Sequence, residues 1–325
     1  MKVKHKKWKI SGIILLLFIL FVYVNNTSLF TNQQNEAKLL AHRGLAQTFP
    51  MEGIEWDTCT AEIIFPPEHQ YLENTIPSME AAFQAGANTV ELDVKRTKDN
   101  QLAVFHDFEL SCRTDGKGEP SEYTMEELKR LDVGYGYTAD GGQSFPFRGK
   151  GVGLMPSLDE VLERFPKERL LIHIKSIEKK DGDLLADYLH RLTAEQQELI
   201  TVYGDNQPID SLKKKMPTLK VMSMETMKSC MIPYLAIGWS GYIPESCENT
   251  QIHLPEKYAK WIWGWPHKFV NRMASVDTNV VVVAGDGGWS EGFDTGEDLQ
   301  RLPADFEGEI WTNRIEKIAP LTKTE

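Results

Sequence analysis

Cysteine is scarce and is not spaced for metal: Cys59, Cys112, Cys230 and Cys247 are the only four in 325 residues, and no CxxC or Cys/His pairing points to zinc. A glycine-rich turn after the first strand-like run is missing, which weighs against an open, doubly wound nucleotide-binding sheet. Beyond the start, acidic residues outnumber basic ones. Residues 1–9 carry five lysines, so the remainder sets 31 Lys and Arg against 47 Asp and Glu. An acidic body excludes nucleic acid as the expected partner, because phosphate backbones are bound by grouped Lys and Arg. There is no internal repeat or low-complexity tract, and 41% hydrophobic with 26% charged residues is an ordinary globular composition.

One long hydrophobic run is present, Ile10–Val24, uncharged and framed by Trp8 and Tyr23. Its fifteen residues, or seventeen from Trp8, are slightly fewer than the ~20 a spanning helix needs, and the two aromatic residues suit interfacial positions. A cleaved signal peptide is the alternative. The following NNTSLFTNQQNE offers no small-x-small site, and no cysteine follows to accept lipid, so an uncleaved single-pass anchor at 10–24 is expected, after a basic cytoplasmic end at 1–9 and before a linker at 25–37. On either reading the lysines stay in the cytoplasm and the body lies outside it, at the cell membrane. Disulfides persist there. Sequence order suggests Cys59–Cys112 and Cys230–Cys247 among three pairings, with four free thiols as the alternative.

From residue 38 to about 320, short β-rich runs alternate with helical patterns. The strand candidates are Lys38–Ala41, Thr89–Asp93, Leu102–Phe105, Leu170–Ile174, Leu199–Tyr203, Leu219–Met222, Val280–Ala284 and Glu309–Thr312. Thr75-Ile76-Pro77 opens a helix that Gly86 closes. Eight strands with intervening helices predict an α/β fold of the TIM (β/α)8 type. Residues 45–72 lengthen the first loop, and 108–155 form a small insertion after the third strand; both are placed to shape the substrate mouth.

Polar residues gather at strand ends: His42-Arg43-Gly44 after the first, Glu91 and Asp93 closing the second, His106-Asp107 after the third. In a barrel these ends share one rim. Residues two apart on a strand project to the same face, so Glu91 and Asp93 present paired carboxylates suited to a hard divalent cation. Two histidines can serve as general base and general acid across a scissile bond. Any one of these residues alone is more often structural; their arrangement is the signal.

Ala41-His42-Arg43-Gly44, Glu73-Asn74-Thr75, Glu91-Leu92-Asp93-Val94 and Val104-Phe105-His106-Asp107, followed by Arg113–Gly118, Thr124–Leu128 and Met155–Leu158, resemble the glycerophosphodiester phosphodiesterase family over roughly 38–175. The resemblance implies a metal-dependent phosphoric diester hydrolase of lipid metabolism that cuts glycerophosphodiesters to an alcohol and glycerol 3-phosphate. It implies His42 and His106 as the acid/base pair, Arg43 and Lys175 on the phosphate, Glu91 and Asp93 on Mg²⁺ or Ca²⁺, and Glu73 lining the site or tying down the first loop. Glu73 beside a helix start has a plain electrostatic reading as well.

The sequence departs from that pattern at His173-Ile174-Lys175, where the family carries Glu-x-Lys. The third carboxylate has become His173, which as a ligand admits Mn²⁺ or Zn²⁺; it is otherwise a phosphate contact or a spectator. Three functional readings follow: a hydrolase of small phosphodiesters, a phospholipase D-like enzyme on lysolipids or lipids, and a barrel that binds phosphate without turnover. The later half is less diagnostic, with Gly204-Asp205 and Asp286–Trp289 after strands. Trp261, Trp263 and Trp265 alternate as on one strand face, for headgroup binding, membrane contact or core packing. Gly141–Gly153 offers Arg148 and Lys150 to a phosphate.

Overall fold

The computed structural model describes residues 2–30, 37–55, 58–288, 291–303 and 306–322. Linker residues 31–36 and the expected loop residue Trp289 lie outside them. Among the described residues there are nine strands, β1 (Lys38–Ala41), β2 (Thr89–Arg96), β3 (Leu102–Val104), β4 (Arg169–Ile174), β5 (Ile200–Gly204), β6 (Lys220–Met222), β7 (Gln251–Pro255), β8 (Asn279–Val283) and β9 (Glu309–Thr312). The longer helices are α1 (Lys2–Asn26), α2 (Ile76–Ala85), α3 (Leu158–Arg164), α4 (Lys179–Leu189), α5 (Asn206–Lys215), α6 (Met224–Ile237), α7 (His267–Ala274) and α8 (Ile315–Thr322).

Eight strands run parallel in the order β6-β5-β4-β2-β1-β9-β8-β7, and a bridge between Val221 and Thr250 joins the two ends, so the sheet is a nearly closed barrel. Alternate side chains divide two ways. Leu39, Val90, Leu92, Ile172 and Val202 face the surrounding helices, while Leu40, Leu171, Val281 and Trp311 fill the barrel. The α2 boundaries are those expected: Thr75 accepts from the Ser78 N–H and Gly86 ends the helix in the left-handed region.

Two expected staves need correction. Residues 102–104 are not a stave, because β3 lies antiparallel against β2 with Val94 opposite Val104. The missing stave is β7, whose QIHLP mixes Gln251 and His253 with three apolar residues and carries no clear strand pattern. With β7 in place of residues 102–104, the barrel has eight staves.

The two loop insertions are one unit. Ala61, Ile64 and Leu72 from the first pack with Leu110, Met125, Leu128, Tyr137 and Phe147 from the second, and a Cys59–Cys112 disulfide joins them. Cys230–Cys247 is the second bond, as sequence order suggested. With its cysteines 53 positions apart, the first crosslink restricts the unfolded chain by about 4 kcal/mol on the loop-entropy account. Cys112→Ser should therefore lower the urea midpoint clearly; an unchanged midpoint would show that the insertion does not unfold with the barrel.

The helix α1 contains one stretch, Trp8–Asn26, long and apolar enough to cross a membrane; a signal sequence near an N-terminus passes the same test.

Candidate active site

Strand register builds the centre of the site. Asp93 on β2 lies beside His173 on β4, which lies beside Tyr203 on β5, so these three side chains form a row across adjacent inward positions. His173 Nδ1 is 3.0 Å from Asp93 Oδ1. Its ring stacks on Tyr203 at 4.1 Å between centroids. The Tyr203 hydroxyl donates to Glu91 Oε1 at 2.8 Å. Glu91 and Asp93 are fully buried.

The turn after β1 aims Arg43 into this row. Arg43 and Gly44 both have positive φ, 60° and 79°. The Arg43 N–H donates to Glu91 Oε2 at 3.1 Å, and its guanidinium reaches Glu73 Oε1 at 3.0 Å and Asp93 Oδ2 at 3.4 Å. A Cβ on Gly44 would stand 2.6 Å from Ser78 Oγ and 2.9 Å from the Ser78 carbonyl carbon. Gly44→Ala should cost roughly 2 kcal/mol or more in a denaturant titration, since left-handed backbone and a clash with backbone coincide.

His106 reaches the same place by a different route from the one expected. The β2 strand continues three residues past Asp93, and β3 returns antiparallel, with the Phe105 N–H donating to the Asp93 carbonyl at 3.0 Å. His106 thus arrives level with Asp93 from a hairpin rather than from a barrel stave.

Each histidine has its Nδ1 tied. Asn313 Nδ2 donates to Asp294 Oδ2, which turns Asn313 Oδ1 toward His42 Nδ1 at 2.6 Å. Asp107 Oδ1 sits 2.7 Å from His106 Nδ1. Both acceptors require the proton on Nδ1 in the neutral ring, leaving Nε2 as the basic nitrogen, and in His42 that nitrogen accepts from Arg43 Nε at 3.1 Å. Burial, then the Arg43 charge, hold the pKa of His42 well below its usual value and also lower that of His106. Burial lowers His173 to about 4, so it is neutral near pH 7.

His42, Arg43, His106, His173 and Lys175 line one cavity of about 370 Å³ together with Tyr203, Met224, Met227, His253 and Trp311. Of the expected site residues, Glu91 and Asp93 lie beneath this floor, and Glu73 stands behind Arg43, where it also pairs with Arg113 at 3.2 Å. Glu73 therefore ties the first loop to the insertion. Ligand atoms of Glu91, Asp93 and His173 lie within 4.8 Å of one another. Burial and the neighbouring Asp93 charge push the Glu91 pKa well up. That repulsion is what a divalent cation relieves, and two carboxylates with a neutral imidazole form a suitable donor set.

Several participants were not foreseen. Asn74, in the left-handed region, donates to Asp93 Oδ2 and accepts from the Asp93 N–H, both at 3.0 Å. Asp107 is paired with Arg113 at 2.9 Å. Tyr203 and His253 belong to strands whose sequence shows no motif. The loop Gly141–Gly153 contributes nothing to the cavity: the N–H groups of Gly149 and Gly151 donate to Asp132, and Arg148 lies on Tyr135 and Phe145. The three tryptophans are not on a strand; Trp261 is exposed, whereas Trp265 packs against Phe306.

Comparison with known proteins bears on the fold and the family. A glycerophosphodiester phosphodiesterase of Bacillus altitudinis is 35% identical over 126 residues, covering 39% of this chain and 39% of that one. The chain spans about half the length of the curated relatives it matches first. The glycerophosphoryl diester phosphodiesterase domain of a Mycobacterium tuberculosis protein shares the fold with a TM-score of 0.64 at 15% identity, over 89% of this chain and all of that one. A phosphodiesterase of Oleispira antarctica solved with sn-glycerol-3-phosphate gives 0.55 at 17% identity, over 88% and 96%. Residues 42–227, which hold the first histidine, the paired carboxylates, the returning hairpin and His173, match the glycerophosphoryl diester phosphodiesterase family, and the chain belongs to it.

Proposed function

We propose that this protein hydrolyses glycerophosphodiesters to an alcohol and glycerol 3-phosphate at the His42/His106 cavity. The observation that carries this reading is that two histidines with Nδ1 fixed border one cavity with Arg43 and Lys175, and that the His42 Nε2 already accepts from the Arg43 guanidinium that would meet the phosphate. Family membership and the bound product of the Oleispira antarctica neighbour support it.

His106, backed by Asp107, takes the proton from the attacking glycerol hydroxyl, because the carboxylate stabilises the imidazolium that forms. His42 gives a proton to the leaving alcohol oxygen. The anionic diester opposes the effect of Arg43 on His42 and favours that proton's presence. The cyclic phosphate so formed is opened by water with the two roles exchanged. Arg43 and Lys175 bind the phosphate oxygens. Glu91, Asp93 and His173 hold the divalent cation, Mg²⁺ or Ca²⁺ with Mn²⁺ or Zn²⁺ admitted by His173; when bound it neutralises charge on phosphate oxygens.

The same reading keeps α1 as an uncleaved anchor with the barrel outside the cytoplasm, which the two disulfides support. The direct test is incubation of the purified full chain with glycerophosphocholine under each metal; release of choline is expected, and no turnover of any diester under any metal would refute the enzyme reading.

A further inference from the structure

The end of α1 is bonded to the barrel. Asn25 and Asn26 donate through Nδ2 to the Trp239 carbonyl at 3.1 and 2.8 Å. Arg272 at the end of α7 donates to the Asn25 carbonyl at 2.8 Å and to Asn26 Oδ1 at 3.1 Å, and also to the Gly238 carbonyl and the Tyr234 hydroxyl at 3.0 Å. A cation on the last carbonyls of a helix is favourably placed. These bonds fix where α1 meets the barrel.

Beside that junction the barrel is apolar. Of fifteen large exposed apolar side chains between residues 37 and 322 among the described residues, eight fall within 224–263, so the exposure is local rather than scattered. The backbone of Trp239 is level with the end of α1, yet its ring lies 5.2 Å from that of Phe18, two turns back along the helix. Its indole therefore runs down α1 toward the apolar span. Trp263 lines a groove with Phe18, Ile19, Val22 and Tyr23 of α1.

Polarity also changes along α6. At its start the exposed residues are Met224, Glu225, Lys228 and Ser229; toward its end they are Ile232, Pro233, Leu235, Ala236 and Ile237. The start borders the catalytic cavity through Met224 and Met227, and the end leads into Trp239. Fourteen residues of helix separate the two by ~20 Å.

We propose that the edge formed by the end of α6, Trp239 and Trp263 docks into the outer lipid surface of the membrane that α1 spans. Clamped there by Arg272, the barrel holds its catalytic mouth at the far end of α6, in water. Indole rings at the interface and charged residues toward the mouth fit that orientation. The proposal rests on the anchor and catalytic readings above, and deepens them: the substrate is a water-soluble glycerophosphodiester rather than a lysolipid lying in the bilayer.

The test uses the full chain in phosphatidylcholine vesicles brominated near the headgroup, read by tryptophan emission. Bromolipid should quench the wild type, and Trp239→Phe with Trp263→Phe should remove at least half of the quenchable signal. Asn25→Ala with Asn26→Ala, which leaves the barrel sequence intact, should produce a similar fall. Quenching unchanged in both double variants would overturn the docking. In the same vesicles kcat/KM for glycerophosphocholine should exceed that for lysophosphatidylcholine at least tenfold, and the reverse preference would overturn the orientation. Hydrolysis of neither substrate would remove the catalytic reading and leave the quenching result to decide the docking.

Discussion

Replacing His106 by Ala is expected to lower kcat by roughly 10²- to 10⁴-fold, the usual contribution of a positioned general base, with His42→Ala comparable. Neither substitution should unfold the protein, because both rings lie at the cavity rather than in the apolar core. Thermal midpoints within a few degrees of wild type, alongside the rate loss, would separate chemistry from stability. Asp107→Asn gives a finer reading. Asp107 holds His106 Nδ1 and is itself held by Arg113, so it is a positioning residue. The amide removes the negative charge beside the His106 imidazolium without removing the side chain, so kcat should fall while KM stays near its wild-type value. Activity undiminished in His42→Ala would contradict the assigned mechanism.

The second large effect is expected at His173. Its imidazole is neutral near pH 7 and lies against Asp93, so the centre offers two carboxylates rather than three. His173→Glu restores the oxygen ligand that the family pattern places there, and hard cations favour oxygen donors. Binding of Mg²⁺ or Ca²⁺, measured by calorimetry, should tighten at least tenfold, while the relative preference for Mn²⁺ or Zn²⁺ declines. His173→Ala should weaken binding of every one of these ions. The stacked Tyr203 complicates the exchange, because glutamate offers no ring to cover it, and a modest fall in stability should accompany the tighter site. Equal affinities in wild type and His173→Glu would place His173 outside the ion's reach.

The parts of this centre legible in the sequence were those set by local chain geometry. His42 and Arg43 follow a strand directly, and Glu91 and Asp93 share a strand face by the two-residue period, so position along the chain is enough to place them. The hairpin carrying His106 was read as a stave because a three-residue apolar strand is the same whether its partner runs parallel or antiparallel. Only the lengthening of β2 to Arg96 distinguishes them, and it lies in VKR, which has no marked alternation. The β7 strand escaped notice because its inward residues are Gln251 and His253, polar where a barrel interior would ordinarily be apolar. Long-range partners such as Asn313 and Tyr203, 271 and 112 residues from the groups they hold, are fixed only by barrel closure and leave no local mark. Arg148 and Lys150 show the converse case, a basic glycine-rich loop whose N–H groups close on the carboxylate of its own Asp132.

The most direct test of the central claim is phosphorus NMR of glycerophosphocholine incubated with the purified full chain and a divalent cation. The proposed function predicts a glycerol 3-phosphate resonance growing with choline release, and its loss in His106→Ala and on chelation. Phosphocholine with free glycerol, or an unaltered diester under every cation tried, would contradict it.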